Sequence, residues 1–236
     1  MIQFLEGGTD AAALLLFDPE ALPDDFDDRT RDDPSGAIEE AVGLGRAFLL
    51  TTDGDGDFAL GVCVGEGPPE ELEAFLRPIG EVDRFPVVGG SLQFAGVEYA
   101  FRRDDAALAK HPHMGGSADV PPGVYRLRVH EADYPESFLE ERMRGRSSAA
   151  GLRLLSLMNR RLLPLGSLGA IVGVVSLLFL GWRDWRATAL PVCLAMVLPA
   201  VLVSRLRTYR EARDAGREIA RELPDYWAVL EPVEPA

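Results

Sequence analysis

Between Arg161 and Arg183 the chain runs for 21 residues, LLPLGSLGAIVGVVSLLFLGW, without one ionisable side chain. As a helix rising ~1.5 Å per residue, this stretch is roughly 30 Å long, the thickness of a bilayer's hydrocarbon core. A second uncharged run, ATALPVCLAMVLPAVLVS, fills the 18 positions between Arg186 and Arg205. Both are apolar all round, whereas a helix at the surface of a water-soluble protein keeps a polar face. Lipid is therefore the expected solvent. Because only Arg183-Asp184-Trp185 and their neighbours join the two runs, the pattern predicts an antiparallel two-helix transmembrane hairpin, over 162–182 and 187–204. Trp182 and Trp185 fall where an interfacial aromatic belt would place them, and Pro199 predicts a kink in the second span. Gly169 and Gly173 form a small-xxx-small pair, assigned to helix packing inside the hairpin, with dimerisation or assembly with other membrane proteins as the alternative.

Charge divides the chain in the same region. Residues 1–141 hold 30 acids against 10 bases, a net of −20, while 142–236 hold 8 acids against 14 bases, a net of +6. Six arginines (142, 144, 146, 153, 160, 161) precede the first run, six (205, 207, 210, 213, 217, 221) follow the second, and the connection has two. Positive charge stays cytoplasmic. The expected location is thus a bacterial inner membrane, crossed twice, with both termini in the cytoplasm; the bacterial source is inferred from one lysine beside 23 arginines. Five segments follow: an acidic soluble domain over 1–140, a basic juxtamembrane linker over 141–161, the two spans, and a cytoplasmic helical tail over 205–236 that Pro224 should stop. The apolar run at 11–17 is too short for a secretory signal and reads as a buried strand. Cys63 and Cys193 lie in segments not expected to meet, so no disulfide framework is predicted.

In the acidic part, AAALLLF, RAFLLTT, FALGVCVGE, SLQFAG, VEYAFR and GVYRLRVHE are short runs rich in β-branched and aromatic residues, bounded by Gly, Pro and Asp. DPSGAIEEAVGLG and PPEELEAFLRP carry helix signals, the second with prolines at its start and acids in its first turn. The predicted fold class is mostly β: an N-terminal β-sandwich-like domain with small helical insertions, followed by the transmembrane hairpin and a C-terminal helix.

Candidate chemistry is sparse. Asp53, Asp55 and Asp57 in TTDGDGDFAL alternate as in a calcium loop. A loop starting at Asp53, however, would need glycine sixth and glutamate twelfth, where Phe58 and Val64 stand. The stretch reads instead as the turn of a β-hairpin. His111 and His113 are spaced like metal ligands, yet no cysteine or carboxylate set accompanies them, and a solvated loop is the simpler reading. The sequence holds no phosphate loop, nucleophile elbow or H-E-x-x-H helix. Asp24, Asp25, Asp27, Asp28, Asp32 and Asp33 fall within ten residues. They are either a solvated loop or a docking surface for a basic partner.

The early apolar strand, the stretch AFLLTTDGDGDFALGVCVGEGPP, the strand GGSLQFAG and above all ADVPPGVYRLRVHEAD give residues 8–134 a layout that resembles the competence protein J family, soluble bacterial nuclease inhibitors with a compact β-rich fold. The resemblance implies binding and occluding a nuclease-like partner, and it brings no catalytic residue. The expected function is a non-enzymatic, membrane-anchored protein-binding module, an inhibitor or immunity protein for a nuclease or toxin. Its partners would be the bilayer and a basic protein, with no direct nucleic-acid contact and no cofactor. The alternative is a structural or regulatory membrane protein acting through its hairpin, with the β-domain as sensor or spacer.

Overall fold

The computed structural model describes residues 1–104, 106–179 and 182–233, with side chains except at 179 and 182–188. The chain divides into two compact units, one of residues 1–134 with 221–236 and one of residues 135–220. Charge follows this division. The first unit holds 31 acids against 11 bases, a net of −20, and the second 7 against 13, a net of +6.

The first unit is built from two sheets. Strands β1 (Ile2–Thr9), β4 (Gly56–Val64), β5 (Leu76–Val87), β8 (Gly123–Ala132) and β9 (Tyr226–Pro232) form one, in the order β1-β4-β9-β8-β5. Strands β2 (Ala13–Phe17), β3 (Ala47–Thr51), β6 (Ser91–Gly96) and β7 (Gly115–Asp119) form the other, in the order β3-β2-β6-β7. Leu60, Val62, Phe85, Leu127, Val129, Ala228 and Leu230 from the first sheet meet Leu14, Leu16, Leu50, Leu92 and Phe94 from the second in the main core. A third layer, α1 (Phe26–Asp32) and α2 (Pro34–Gly43), covers the outer face of the smaller sheet. There Leu15 and Phe17 pack with Phe26, Ala37, Ile38 and Ala41. Covered on both faces, β2 reads as an unbroken apolar run rather than an alternating one. A short helix, α3 (Ala106–Lys110), precedes β7.

The TTDGDGD stretch does not turn a β-hairpin. β1 pairs with β4 in one sheet and β2 with β3 in the other. The four strands are one long antiparallel ribbon bent over both sheets, and 52–55 is the outer side of the bend. The inner side is pinned by bonds. Thr9 Oγ1 accepts from the Ala11 and Ala13 amides, Glu98 accepts from Asp10 at 2.6 Å, and Ala12 takes a left-handed φ of 52°. Thr52 N then donates to Ala12 O at 3.0 Å across the bend.

β9 lies after the whole helical unit in sequence, yet it enters the middle of the larger sheet, parallel to β4 and antiparallel to β8. Trp227 at its centre is fully buried. Its ring meets Phe4 edge to face, lies over Gly61 and donates from Nε1 to Tyr134 Oη at 3.1 Å. The tail expected to be helical over 205–236 therefore ends as a core strand.

The helical unit holds α4 (Glu136–Arg146), α5 (Ala149–Leu157), a π-helical turn (Met158–Leu162), α6 (Leu163–Phe179), α7 (Trp182–Ser204) and the body of α8 (Arg207–Glu222). Ser148 caps α5, accepting from Gly151 N at 3.1 Å. A Cβ on Gly151 would lie 2.8 Å from Ala212 Cβ, so α5 packs closely on α8.

These elements correct the predicted fold class. The chain is about 50% helical and 30% strand, not mostly β. A two-span hairpin also does not stand, because among the described residues one helix, Ala149–Leu178, is long and apolar enough to cross a bilayer. Counting uncharged residues overlooked two geometric facts. Arg183, Asp184 and Arg186 lie within α7 rather than in a turn before it. The apolar stretch beyond them, Ala189–Ser204, then bends by 71° into α8. At ~1.5 Å per residue that stretch reaches only about 24 Å.

Candidate functional site

The acidic cluster is largely engaged with its own fold. Asp27 accepts from the backbone amides of Arg102, Arg103 and Asp104 at 2.5, 2.9 and 3.1 Å. Asp24 pairs with Arg102 at 2.7 Å, and Arg31 bridges Asp28 at 3.1 Å and Asp104 at 2.8 Å. That guanidinium holds the Asp104 carboxyl below the usual carboxylate range, helped by the Ala106 amide. Asp33 caps α2 through Gly36 N at 3.1 Å. Asp24 and Asp27, with Arg31 bridging Asp28 and Asp104, therefore fasten α1 to the loop after Ala100, Asp33 caps α2, and Asp25 and Asp32 stand exposed at the ends of α1.

Two of the hollows on the first unit are lined by a histidine. One, of about 420 Å³, is lined by Phe4, Glu6, His113, Ser117 and Arg221, with Arg221 paired to Glu6 at 3.2 Å. His111 and His113 stack edge to face at 6.2 Å. No group of three metal-ligating side chains converges anywhere among the described residues. The other hollow, of about 310 Å³, is lined by Glu73, Arg128, His130 and Glu231. Burial, with Arg128 nearby, lowers the His130 pKa, which keeps the imidazole neutral at pH 7. Arg128 is already paired with Glu231. Neither hollow joins a nucleophile, its base and an oxyanion donor.

The helical unit presents a different surface. Ile171, Val174 and Leu178 on α6 are 61, 63 and 76% exposed, and Val192, Leu194, Leu198 and Leu202 on α7 are each more than half exposed. Only 17% of the apolar window in the 149–178 helix is buried inside the protein. A soluble core helix shows the opposite, with its apolar side chains covered by protein. Gly169 and Gly173 lie on the side of α6 that faces α7. A Cβ at 169 would stand 2.7 Å from Met196 Cβ, and one at 173 would stand 3.2 Å from Cys193 Sγ. At the start of α6, Arg160 and Arg161 project from the π-helical turn into solvent.

Sequence reasoning missed β9 and its tryptophan. The run YWAVLEP just after Pro224 carries a strand signal, hidden by the expectation that everything beyond the second apolar run was a tail.

No protein-family model matches the chain, and no curated protein does. Two solved structures are similar. Crocagin biosynthetic gene J is 17% identical at a TM-score of 0.38, over 56% of this chain and 79% of its own. ComJ of Bacillus subtilis, an inhibitor of the DNA-degrading activity of NucA, is 13% identical at a TM-score of 0.33, over 58% of this chain and 87% of its own. The likeness to ComJ meets the layout resemblance at the level of a loose fold similarity. Likenesses this slight carry no argument about function, and no enzyme family is shown.

Proposed function

We propose that the chain is a bilayer-seated binding module, whose helical unit is solvated by lipid and whose acidic sandwich engages a cationic protein. The observation that carries this reading is the uncovered apolar surface of α6 and α7. Exposed to water, each such side chain forgoes roughly 1.5–3 kcal/mol of burial, and a patch on this scale marks a binding or membrane surface. Flotation of the full chain on phospholipid vesicles tests it. The chain should rise with the vesicles and resist extraction by high salt. A monodisperse monomer in plain buffer, indifferent to vesicles, would sink the reading.

The net charge of −20 on the sandwich supports the protein partner. Such a surface attracts basic proteins and repels nucleic acid. A nuclease or toxin is the finer form of this reading, since enzymes that hold phosphate backbones carry basic surfaces. Asp25 and Asp32, exposed on α1, are where contact with a basic surface is expected. Titration of a basic nuclease with the full chain, over a salt series, should show inhibition that weakens as salt rises. Undiminished nuclease activity at saturating chain would remove the finer form and leave the bilayer reading standing.

A further inference from the structure

The antiparallel packing of α6 on α7 sets Gly169 against Met196 and Gly173 against Cys193. Carried two turns further, that register brings Arg160 and Arg161 level with Arg205, the residue just past α7. All three are exposed, and among the described residues none has a carboxylate partner, whereas Arg144, Arg207 and Arg217 each do. The sequence explains the difference. Between Glu141 and Glu211 the only acid is Asp184, near the other end of the pair. The π-helical turn carries Asn159, Arg160 and Arg161, all three exposed. Directly beyond this level, Leu163 and Leu202 are more than half exposed. Uncompensated guanidinium groups at the edge of an exposed apolar surface match the boundary between anionic headgroups and acyl chains.

We propose that Arg160, Arg161 and Arg205 form a collar for the phosphates of anionic phospholipid headgroups, so that the helical unit selects negatively charged bilayers. The proposal rests on the bilayer reading above and names the lipid class. Guanidinium suits this ligand, because its fork donates to two phosphate oxygens at once and stays charged at every physiological pH. Each arginine at an anionic surface is expected to raise partition about fivefold, so the three together raise it on the order of a hundredfold.

The test is flotation of the full chain, diluted from mild detergent, on phosphatidylcholine vesicles with and without phosphatidylglycerol. The wild-type chain should prefer the anionic vesicles by that factor at low salt, and less as salt screens the surface. The R160Q/R161Q/R205Q variant should lose the preference yet still float on both vesicles, and R160K/R161K/R205K should retain most of it. Equal partition of the wild type between the two vesicles, or an undiminished preference in the glutamine variant, overturns the collar while leaving the bilayer reading intact. Release by inorganic phosphate at matched ionic strength would overturn it too, by showing a site for free phosphate. Failure to float on either vesicle overturns the bilayer reading itself.

Discussion

At the scale of single residues, two buried groups in the sandwich show what its polar chemistry is for. Asp18 is fully buried and its carboxylate accepts from Glu20 N, Val88 N and Gly89 N at 2.9, 2.6 and 2.7 Å. One side chain thus holds the end of β5 against the start of the helical layer. Asp18→Ala leaves three part-buried amides without their acceptor and should cost about 1–3 kcal/mol in urea unfolding. Cys63 is also fully buried, and burial pushes its thiol up to about 11. The unfolded thiol titrates near 8.5, so the folded pKa is the higher one. The stability contributed is whole below about pH 8.5 and is lost as pH rises toward 11. At pH 7 the thiolate fraction is on the order of one in ten thousand, so alkylation of Cys63 should proceed only at the rate of unfolding. Fast alkylation of the folded chain at neutral pH would contradict this burial.

Among elements, α6 and α7 give the sharpest test, because glycine and cysteine face each other across them. A Cβ at position 173 would lie 3.7 Å from Cys193 Cβ, within the roughly 3.5–4.5 Å that a disulfide requires. Gly173→Cys should therefore form an intramolecular disulfide with Cys193 under mild oxidation, read as a mass loss of two hydrogens. A free thiol at both positions after oxidation would show that the two helices pack in another register. Which elements the sequence revealed follows from their surroundings. AAALLLF, RAFLLTT, FALGVCVGE, SLQFAG and GVYRLRVHE became β2, β3, β4, β6 and β8, because burial on at least one face leaves an apolar signature. β5 stayed hidden because it is an edge strand, broken by bulges and carrying Pro78, Glu81, Asp83 and Pro86, the residues that keep an edge from recruiting other strands. VEYAFR, read as a strand, holds a 3-10 turn at Val97–Tyr99, and PPEELEAFLRP, read as a helix, holds a short 3-10 helix before β5 begins at Leu76. Both read correctly for propensity, which tertiary context overrode. The arginines and the apolar surface of the candidate site were legible, since lipid-facing residues need no partner in the fold. The bonds that occupy Asp24, Asp27 and Asp33 were not, because they join residues more than seventy positions apart or close a helix cap.

For the whole molecule, the decisive fact is the place of β9. The chain leaves the sandwich after Tyr134, builds the helical unit, and returns at Arg221 to the same unit. There β9 pairs with β8 from Tyr125–Pro232 to Glu131–Tyr226, and Ala132 N donates to Asp225 O at 2.8 Å. The exit and re-entry points are thus neighbours in one sheet whose core contains Ala228 and Leu230. A folded sandwich of this kind does not lie in hydrocarbon, since its sheet edges and loops need water for their backbone groups. Any part of residues 135–220 that enters a bilayer is therefore expected to come back out on the face it entered. This is a stronger constraint than counting arginines, because it holds for any lipid and any charge balance. It is testable with single cysteines at Asp55, Gly145 and Glu218, all accessible positions on either side of the apolar helices, in a chain whose two native cysteines are alanine. In sealed vesicles of one orientation, a membrane-impermeant maleimide should label all three or none. Labelling of Gly145→Cys with protection of Glu218→Cys would place the two ends of the helical unit on opposite faces, which β9 could satisfy only by leaving its sheet.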